Sequence, residues 1–301
     1  MDRNGELLYI DGKIMPLAEG TVSVEDRGFQ FGDGIYEVIK VMEGRLVYLE
    51  DHLARLRRSL GEIDSSSAIE GHPFDEVLPD LVTRAGLGTG FVYMQVTRGR
   101  APRDYAYPAA THATVLAYTR PWSYPDEAAI LAGAELYAVD DPRWARCDIK
   151  STNLLGAVLA KEEARRKGAD EVAFLGPGQV VREGGSSNLF AVVEGTVRTH
   201  PLDRRILAGV TRHHVLRLAG TLGLPVEETA VDLSGLAAAD EAFLTSTGQD
   251  VMPVVRIAGR PVADGRPGPV TLRLVDALRA DVAAHVGLPT PTPLRRLPVE
   301  E

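Results

Sequence analysis

Two short apolar runs open the chain. Leu7-Leu8-Tyr9-Ile10 and Lys13-Ile14-Met15 lie on either side of Asp11-Gly12, a favoured two-residue hairpin turn. Residues 28–34 (GFQFGDG) read as a glycine-punctuated loop that feeds a β-rich run over 35–42. A second hairpin turns at Glu43-Gly44 and returns over 45–49. The rhythm then changes: Leu49, Leu53, Leu56, Leu60 and Ile63 recur at helical spacing. A further helix is expected over 75–85, closed by Gly86, although Pro79 falls inside it. Strands are expected over 91–97 and 113–118.

The second half carries more paired elements. Residues 154–167 form an amphipathic pattern, with Ser151, Thr152 or Asn153 as its cap and Gly168 after it. Strands are expected over 171–175, 180–182, 188–193 and 241–245, and helices over 211–222 and 271–286. Glu194-Gly195 marks another hairpin turn. Mixed strands and helices without a strict βαβ rhythm predict an α+β (mixed α/β) fold. The prolines Pro121 and Pro125 predict a linker over 121–127. It would separate a small N-terminal domain over 1–120 from a larger C-terminal domain over 128–287. Residues 288–301 hold four prolines and are expected to be disordered.

Composition narrows the function. The 301 residues are 45% hydrophobic and 25% charged, and the net charge is −9. That balance argues against a nucleic-acid partner, which would want a basic face. One cysteine, Cys147, excludes an internal disulfide and a zinc site built from two thiolates. No apolar run nears the ~18 residues of a membrane span. The N-terminus has no apolar h-region, so no signal peptide is expected and a cytoplasmic location follows. No metal site is expected, because the histidines are scattered and His213-His214 point to different helix faces.

Lysine is scarce, with five residues against 28 arginines. Lys150 stands apart, because it sits at an expected strand end just before a capped helix. A lysine with a depressed pKa is a nucleophile for carbonyl chemistry, and a solvated lysine is the plainer alternative. Three small-residue, hydroxyl-bearing segments accompany it. They are Glu183-Gly184-Gly185-Ser186-Ser187-Asn188, Gly209-Val210-Thr211-Arg212 and Thr245-Ser246-Thr247-Gly248. Each could be an ordinary turn or a simple Thr cap. Together with one isolated lysine they fit a phosphorylated aldehyde, pyridoxal phosphate, better than a nucleotide.

The segments DRGFQFGDGIYEV (26–38), TRGRAPR (97–103), RCDIKSTNLLGAVLAK (146–161), EGGSSNLF (183–190), ILAGVTR (206–212) and LTST (244–247) occur in a specific order and spacing. The chain resembles the fold-type IV pyridoxal-phosphate transaminases, and among them most closely the D-amino acid transaminases. The resemblance implies a two-domain fold with the cofactor between the domains. It implies that Lys150 holds the cofactor as a Schiff base and moves protons. Glu183 would face the pyridine nitrogen, Arg55 would grip the phosphate, and Val210 and Thr211 would add helix N-terminal amides. Thr247 would add a hydroxyl, and Leu207 would pack beneath the ring. Ser186 and Ser187 would line the cleft, and Asn188, Gly209 and Ser246 complete the cofactor set.

Tyr36 and Arg103 match the family's carboxylate-binding tyrosine and arginine. Tyr105 stands where the family has a histidine, so it brings a hydroxyl and no positive charge. The resemblance further implies a homodimer whose active site takes Arg103 and its neighbour across the interface. The implied reaction moves the amino group of a D-amino acid, such as D-alanine or D-glutamate, to a 2-oxo acid, such as 2-oxoglutarate or pyruvate. Branched-chain L-amino acid transaminases, R-amine transaminases and aminodeoxychorismate lyases share the fold and are the alternatives. A silent ligand-binding relative or a phosphate-binding module would need neither Lys150 nor Glu183.

Overall fold

The computed structural model describes residues 6–110 and 112–294. They form two compact units. One holds the chain to Tyr124 together with Cys147–Leu154; the other holds Pro125–Arg146 and the chain from Leu155 onward.

The first unit contains β1 (Leu7–Ile10), β2 (Lys13–Pro16), α1 (Arg27–Phe31), β3 (Gly34–Met42), β4 (Arg45–Leu46), α2 (Leu49–Gly61), α3 (Phe74–Arg84), β5 (Gly90–Thr97) and β6 (Thr114–Pro121). Its strands form one antiparallel sheet in the order β2-β1-β6-β5-β3-β4. The segment expected as a glycine loop contains α1. The Asp26 carboxylate accepts the Gly28 N–H at its start, and Gly32 ends it with φ 69, a left-handed conformation that suits glycine. α3 runs through Pro79, because Phe74, Leu78, Leu81 and Val82 are buried and anchor it on both sides.

Alternation on β3 sends Ile35, Glu37, Ile39 and Val41 into the core, and leaves Tyr36 and Val38 partly buried on the other face. The core is closed by Leu53, Leu56 and Leu60 of α2 and by α3. One inward position is a carboxylate. Glu37 is fully buried, and α2 supplies its partners. Arg55 Nε and Nη2 donate to its two oxygens at 2.7 Å each, and His52 Nδ1 lies 2.8 Å from Oε2.

The second unit contains α4 (Glu127–Ala132), β7 (Ala134–Asp140), α5 (Leu155–Arg166), β8 (Glu171–Leu175), β9 (Asn188–Val193), β10 (Thr196–Thr199), α6 (Val210–Thr221), β11 (Val226–Glu227), α7 (Leu233–Ala237), β12 (Glu241–Ser246), β13 (Asp250–Ile257), β14 (Arg260–Pro261) and α8 (Pro269–His285). Seven strands form a mixed sheet in the order β11-β10-β9-β12-β13-β7-β8, with β14 paired to β13. α5 lays Ala157, Ala160 and Ala164 on Val172 and Phe174, and small side chains permit this close approach. Phe190 and Phe243 stack at 4.6 Å across β9 and β12. The strands β7 and β13 are not expected from the sequence. Both are central, and β13 in particular is almost wholly buried, so it shows no alternation. Residues 180–182, expected as a strand, make only isolated bridges, Leu175 with Val181 and Val180 with Asp232.

Two expectations change in this part of the chain. The strand-end segment around Lys150 lies in the first unit, because its backbone pairs with β3 rather than with a strand of its own half. The proline-rich tail is ordered as far as Leu294. Leu294 is buried, and its N–H donates to Asp276 Oδ1 of α8 at 2.9 Å. The rest of the tail, 295–301, lies outside the described residues. Among the described residues, no helix is long and apolar enough to cross a membrane.

The buried carboxylate makes the fold acid-sensitive. Burial alone would raise the Glu37 carboxyl, but the Arg55 guanidinium and His52 hold it down, to about 2. Burial pushes His52 below its usual range, against the pull of Glu37. Both groups bind more protons when unfolded. Stability is therefore full above the unfolded His value, and acid erodes it, through His52 first and then Glu37 on the way to about pH 2. Urea unfolding at a series of pH values should show this slope. Glu37→Gln should lower stability at pH 7 by about 3–5 kcal/mol, since it leaves Arg55 buried without its counter-charge. It should also flatten the acid limb below pH 4.

Candidate active site

Lys150 is positioned by backbone. The Lys150 carbonyl accepts the Tyr36 N–H at 3.0 Å, and the Thr152 N–H donates to the Gly34 carbonyl at 2.9 Å. Ile149 is buried in the first core, and Arg58 grips Asp148 through its carbonyl at 2.7 Å and its carboxylate at 2.9 Å. Lys150 Nζ then lies 4.3 Å from the centroid of the Tyr36 ring. Tyr36 stacks on Tyr93 at 5.8 Å, and Tyr93 on Tyr118 at 5.0 Å, so one sheet face carries an aromatic row. Burial pushes the Tyr93 phenol up, with Tyr118 and Tyr36 adding to the effect, so it stays protonated.

Arg55 is held by Glu37 in a bidentate fork, which fixes the plane of its guanidinium. Neither Glu37 nor His52 is among the residues singled out in the sequence. A signal existed: a charged residue sits at an inward position of β3, and a polar stripe of His52, Arg55 and Ser59 runs beside the leucines of α2.

Arg103 follows β5 in a segment without regular structure. Its guanidinium lies 4.5 Å from the Phe31 centroid, and among the described residues it makes no ion pair with a carboxylate. The Tyr105 ring sits 5.6 Å from Phe31 and is 86% exposed.

In the second unit, Glu183 is almost fully buried and held from several directions. Oε1 accepts from Arg143 Nη1 at 2.7 Å. Oε2 accepts from Asn188 Nδ2 at 3.1 Å and from the Leu207 N–H at 2.9 Å. Asn188 Nδ2 also donates to the Leu207 carbonyl at 2.9 Å, so the backbone at Leu207 is clamped twice. Arg143 escapes the sequence reading because its partner is 40 residues away and no local motif marks it. Asp141 holds Arg143, and Arg182 holds Asp141. Burial would raise the Asp141 carboxyl, but Arg143 and Arg182 keep it below the usual carboxylate range.

Ser186 and Ser187 direct their hydroxyls to Glu171 Oε2, at 3.1 and 3.3 Å, and Lys161 joins them there. Glu171 thus ties down the glycine-rich loop, where a Cβ at Gly184 would overlap Ser187 Oγ. Thr211 is not a cap. α6 begins at Val210, its N-cap is Gly209, and among the described residues no side chain caps it. Ser246 Oγ accepts the Gln249 N–H at 3.1 Å, and Thr247 lies in the tight loop between β12 and β13. Beside Asn188 across the strands, Thr245 Oγ1 is buried without a hydrogen-bond partner among the described residues.

The chain matches the family described as amino-transferase class IV over residues 34–257. It is 41% identical to the D-alanine aminotransferase of Bacillus licheniformis, over 92% of this chain and 98% of that protein. Among solved structures, it is similar to the T.th. branched-chain amino acid aminotransferase with pyridoxamine 5'-phosphate. The TM-score there is 0.81 at 28% identity, covering 92% of this chain and 94% of the other. It is also similar to 4-amino-4-deoxychorismate lyase from Pseudomonas aeruginosa. That match has a TM-score of 0.76 at 32% identity and covers 92% of this chain and 99% of the other. Over that span and at that identity, the chain belongs to the class IV aminotransferase family.

Proposed function

We propose that the protein is a pyridoxal-phosphate-dependent transaminase that moves the amino group of a D-amino acid, such as D-alanine or D-glutamate, to a 2-oxo acid. The observation that carries this reading is the 41% identity to a D-alanine aminotransferase over 92% of the chain. The residues fit the cofactor. Among the described residues, no side chain caps the first-turn amides of α6, which suits a phosphate, and Thr245 offers a buried hydroxyl without a partner. Arg55, Gly209, Val210, Thr211, Ser246 and Thr247 would hold the phosphate, and Leu207 would support the ring.

When bound, pyridoxal phosphate supplies an electron-withdrawing ring that takes up the charge left at the substrate α-carbon. Lys150 Nζ would hold the cofactor through its aldehyde and, once freed by the incoming amine, would carry the proton from the substrate α-carbon to the carbon that bore the aldehyde. Glu183 supplies a carboxylate to the ring nitrogen. Arg143, Asn188 and the Leu207 N–H donate to it and aim it. Tyr36 and Arg103 would orient the substrate carboxylate, and the Arg103 guanidinium is suited to bond both oxygens; Tyr105, which like Arg103 lies against Phe31, would add a hydroxyl. Branched-chain L-amino acid transamination is the competing reading, favoured by the structural likeness at a TM-score of 0.81.

The working form is a homodimer. Leu155, Val158 and Leu159 of α5 are 57–66% exposed and fall on one helix face, an apolar stripe that a second copy would cover.

Three outcomes test these readings. D-alanine should bleach the visible absorption of the cofactor-loaded protein, while L-alanine leaves it. Bleaching by L-alanine alone would transfer the protein to the branched-chain reading. Lys150→Ala should abolish both that absorption and turnover, and Glu183→Gln should lower turnover by about 10²-fold or more. Light scattering should report twice the chain mass, and Leu159→Arg should shift it toward one.

A further inference from the structure

Residues 101–110 contain no helix or strand, yet they include Arg103 and Tyr105. A largely exposed stretch of this length would ordinarily sample many conformations. Here one buried side chain gathers it. Arg27, 3% exposed, donates from Nη1 to the Asp104 carbonyl at 2.6 Å and the Ala106 carbonyl at 3.4 Å, and from Nη2 to the Tyr105 carbonyl at 3.5 Å. Its Nε donates to Asp33 Oδ2 at 2.8 Å, and the same oxygen accepts from Arg98 Nε at 2.8 Å. Arg98 in turn donates to the Ile63 carbonyl at 2.6 Å and lies 3.6 Å over the Tyr107 ring. Phe31, on the same short helix as Arg27, carries the Arg27 guanidinium at 4.8 Å and that of Arg103 at 4.5 Å.

We infer that Arg27 is a positioning residue for substrate carboxylate recognition: it fixes the 104–106 backbone and, through Phe31, the Arg103 guanidinium. Arg27 touches no substrate. Its guanidinium draws three successive carbonyls onto one buried centre, so the loop is ordered before substrate arrives. Without it, binding must order the loop, and that cost falls on affinity rather than on the proton transfers at Lys150. Asp33 anchors the fork and Arg98 anchors Asp33. This gives the otherwise unused motif at residues 26–34 a role in specificity. The inference rests on the reading that Arg103 binds the substrate carboxylate.

The test uses the cofactor-loaded enzyme with D-alanine and 2-oxoglutarate. Arg27→Met should raise KM for both by about 10-fold or more, change kcat by less than about 3-fold, and leave the cofactor absorption intact. Arg103→Met should raise KM comparably, and the double variant should be no worse than the more impaired single variant, because the two act as one unit. Arg27→Lys keeps the ion pair with Asp33 but loses the fork, so it should fall between wild type and Arg27→Met. It carries the test if Arg27→Met does not fold. Amide hydrogen exchange over 103–107 should accelerate in either Arg27 variant. Arg100→Met, at the base of the same loop but with its side chain bonded to Glu25, should leave KM unchanged. Unchanged KM in the Arg27 variants, or multiplicative effects in the double variant, would overturn the inference and leave the transaminase reading standing. Unchanged KM in Arg103→Met would remove the carboxylate reading and the inference with it.

Discussion

A short backbone pairing governs this molecule. Residues 149–152 leave the half of the chain that surrounds them in sequence and lie along the first residues of β3, with Ile149 in the first core and Lys150 beside Tyr36. Backbone bonds at 2.9–3.0 Å pin the main chain at Lys150 and Thr152, and the lysine side chain is left as the part that can move. The role proposed for Lys150, binding and releasing an aldehyde, would gain from this arrangement. The main chain stays fixed while the four-carbon stem swings.

Buried or half-buried carboxylates in both units are met by arginines: Glu37 by Arg55, Asp33 by Arg27 and Arg98, and Asp148 by Arg58 in the first, Glu183 by Arg143 and Asp141 by Arg143 and Arg182 in the second. An arginine fork sets the plane of its partner as well as its charge, and it does not titrate under any condition the fold survives. This gives physical sense to a composition of five lysines against 28 arginines. Lysines would have offered the same charge with less orientation, and would have put further amines in reach of an aldehyde cofactor.

The local elements were largely legible. The hairpin at Asp11-Gly12 and the helices at Leu49–Gly61 and Val210–Thr221 follow from turn chemistry and periodicity. What escaped depends on contacts distant in sequence. β13 is buried on both faces and shows no alternating pattern, and residues 149–152 pair with positions more than a hundred residues away. α1 was hidden by its two terminal signals, an Asp cap and a glycine stop only six residues apart, which resemble a loop. Among the candidate residues, Lys150 and the Glu183 loop stand out in the sequence because residue type and loop composition mark them. Arg143 and Arg27 do not, since an arginine's partner is invisible until the chain folds.

The path of the chain also constrains how the protein is made. The first unit includes Cys147–Leu154, so an N-terminal segment ending at Tyr124 has the sheet and its helices but lacks the strip that borders β3 and carries Lys150. During synthesis, that edge waits until β7 and the residues after it have emerged. A cut between the units at Tyr124 would leave the first one incomplete.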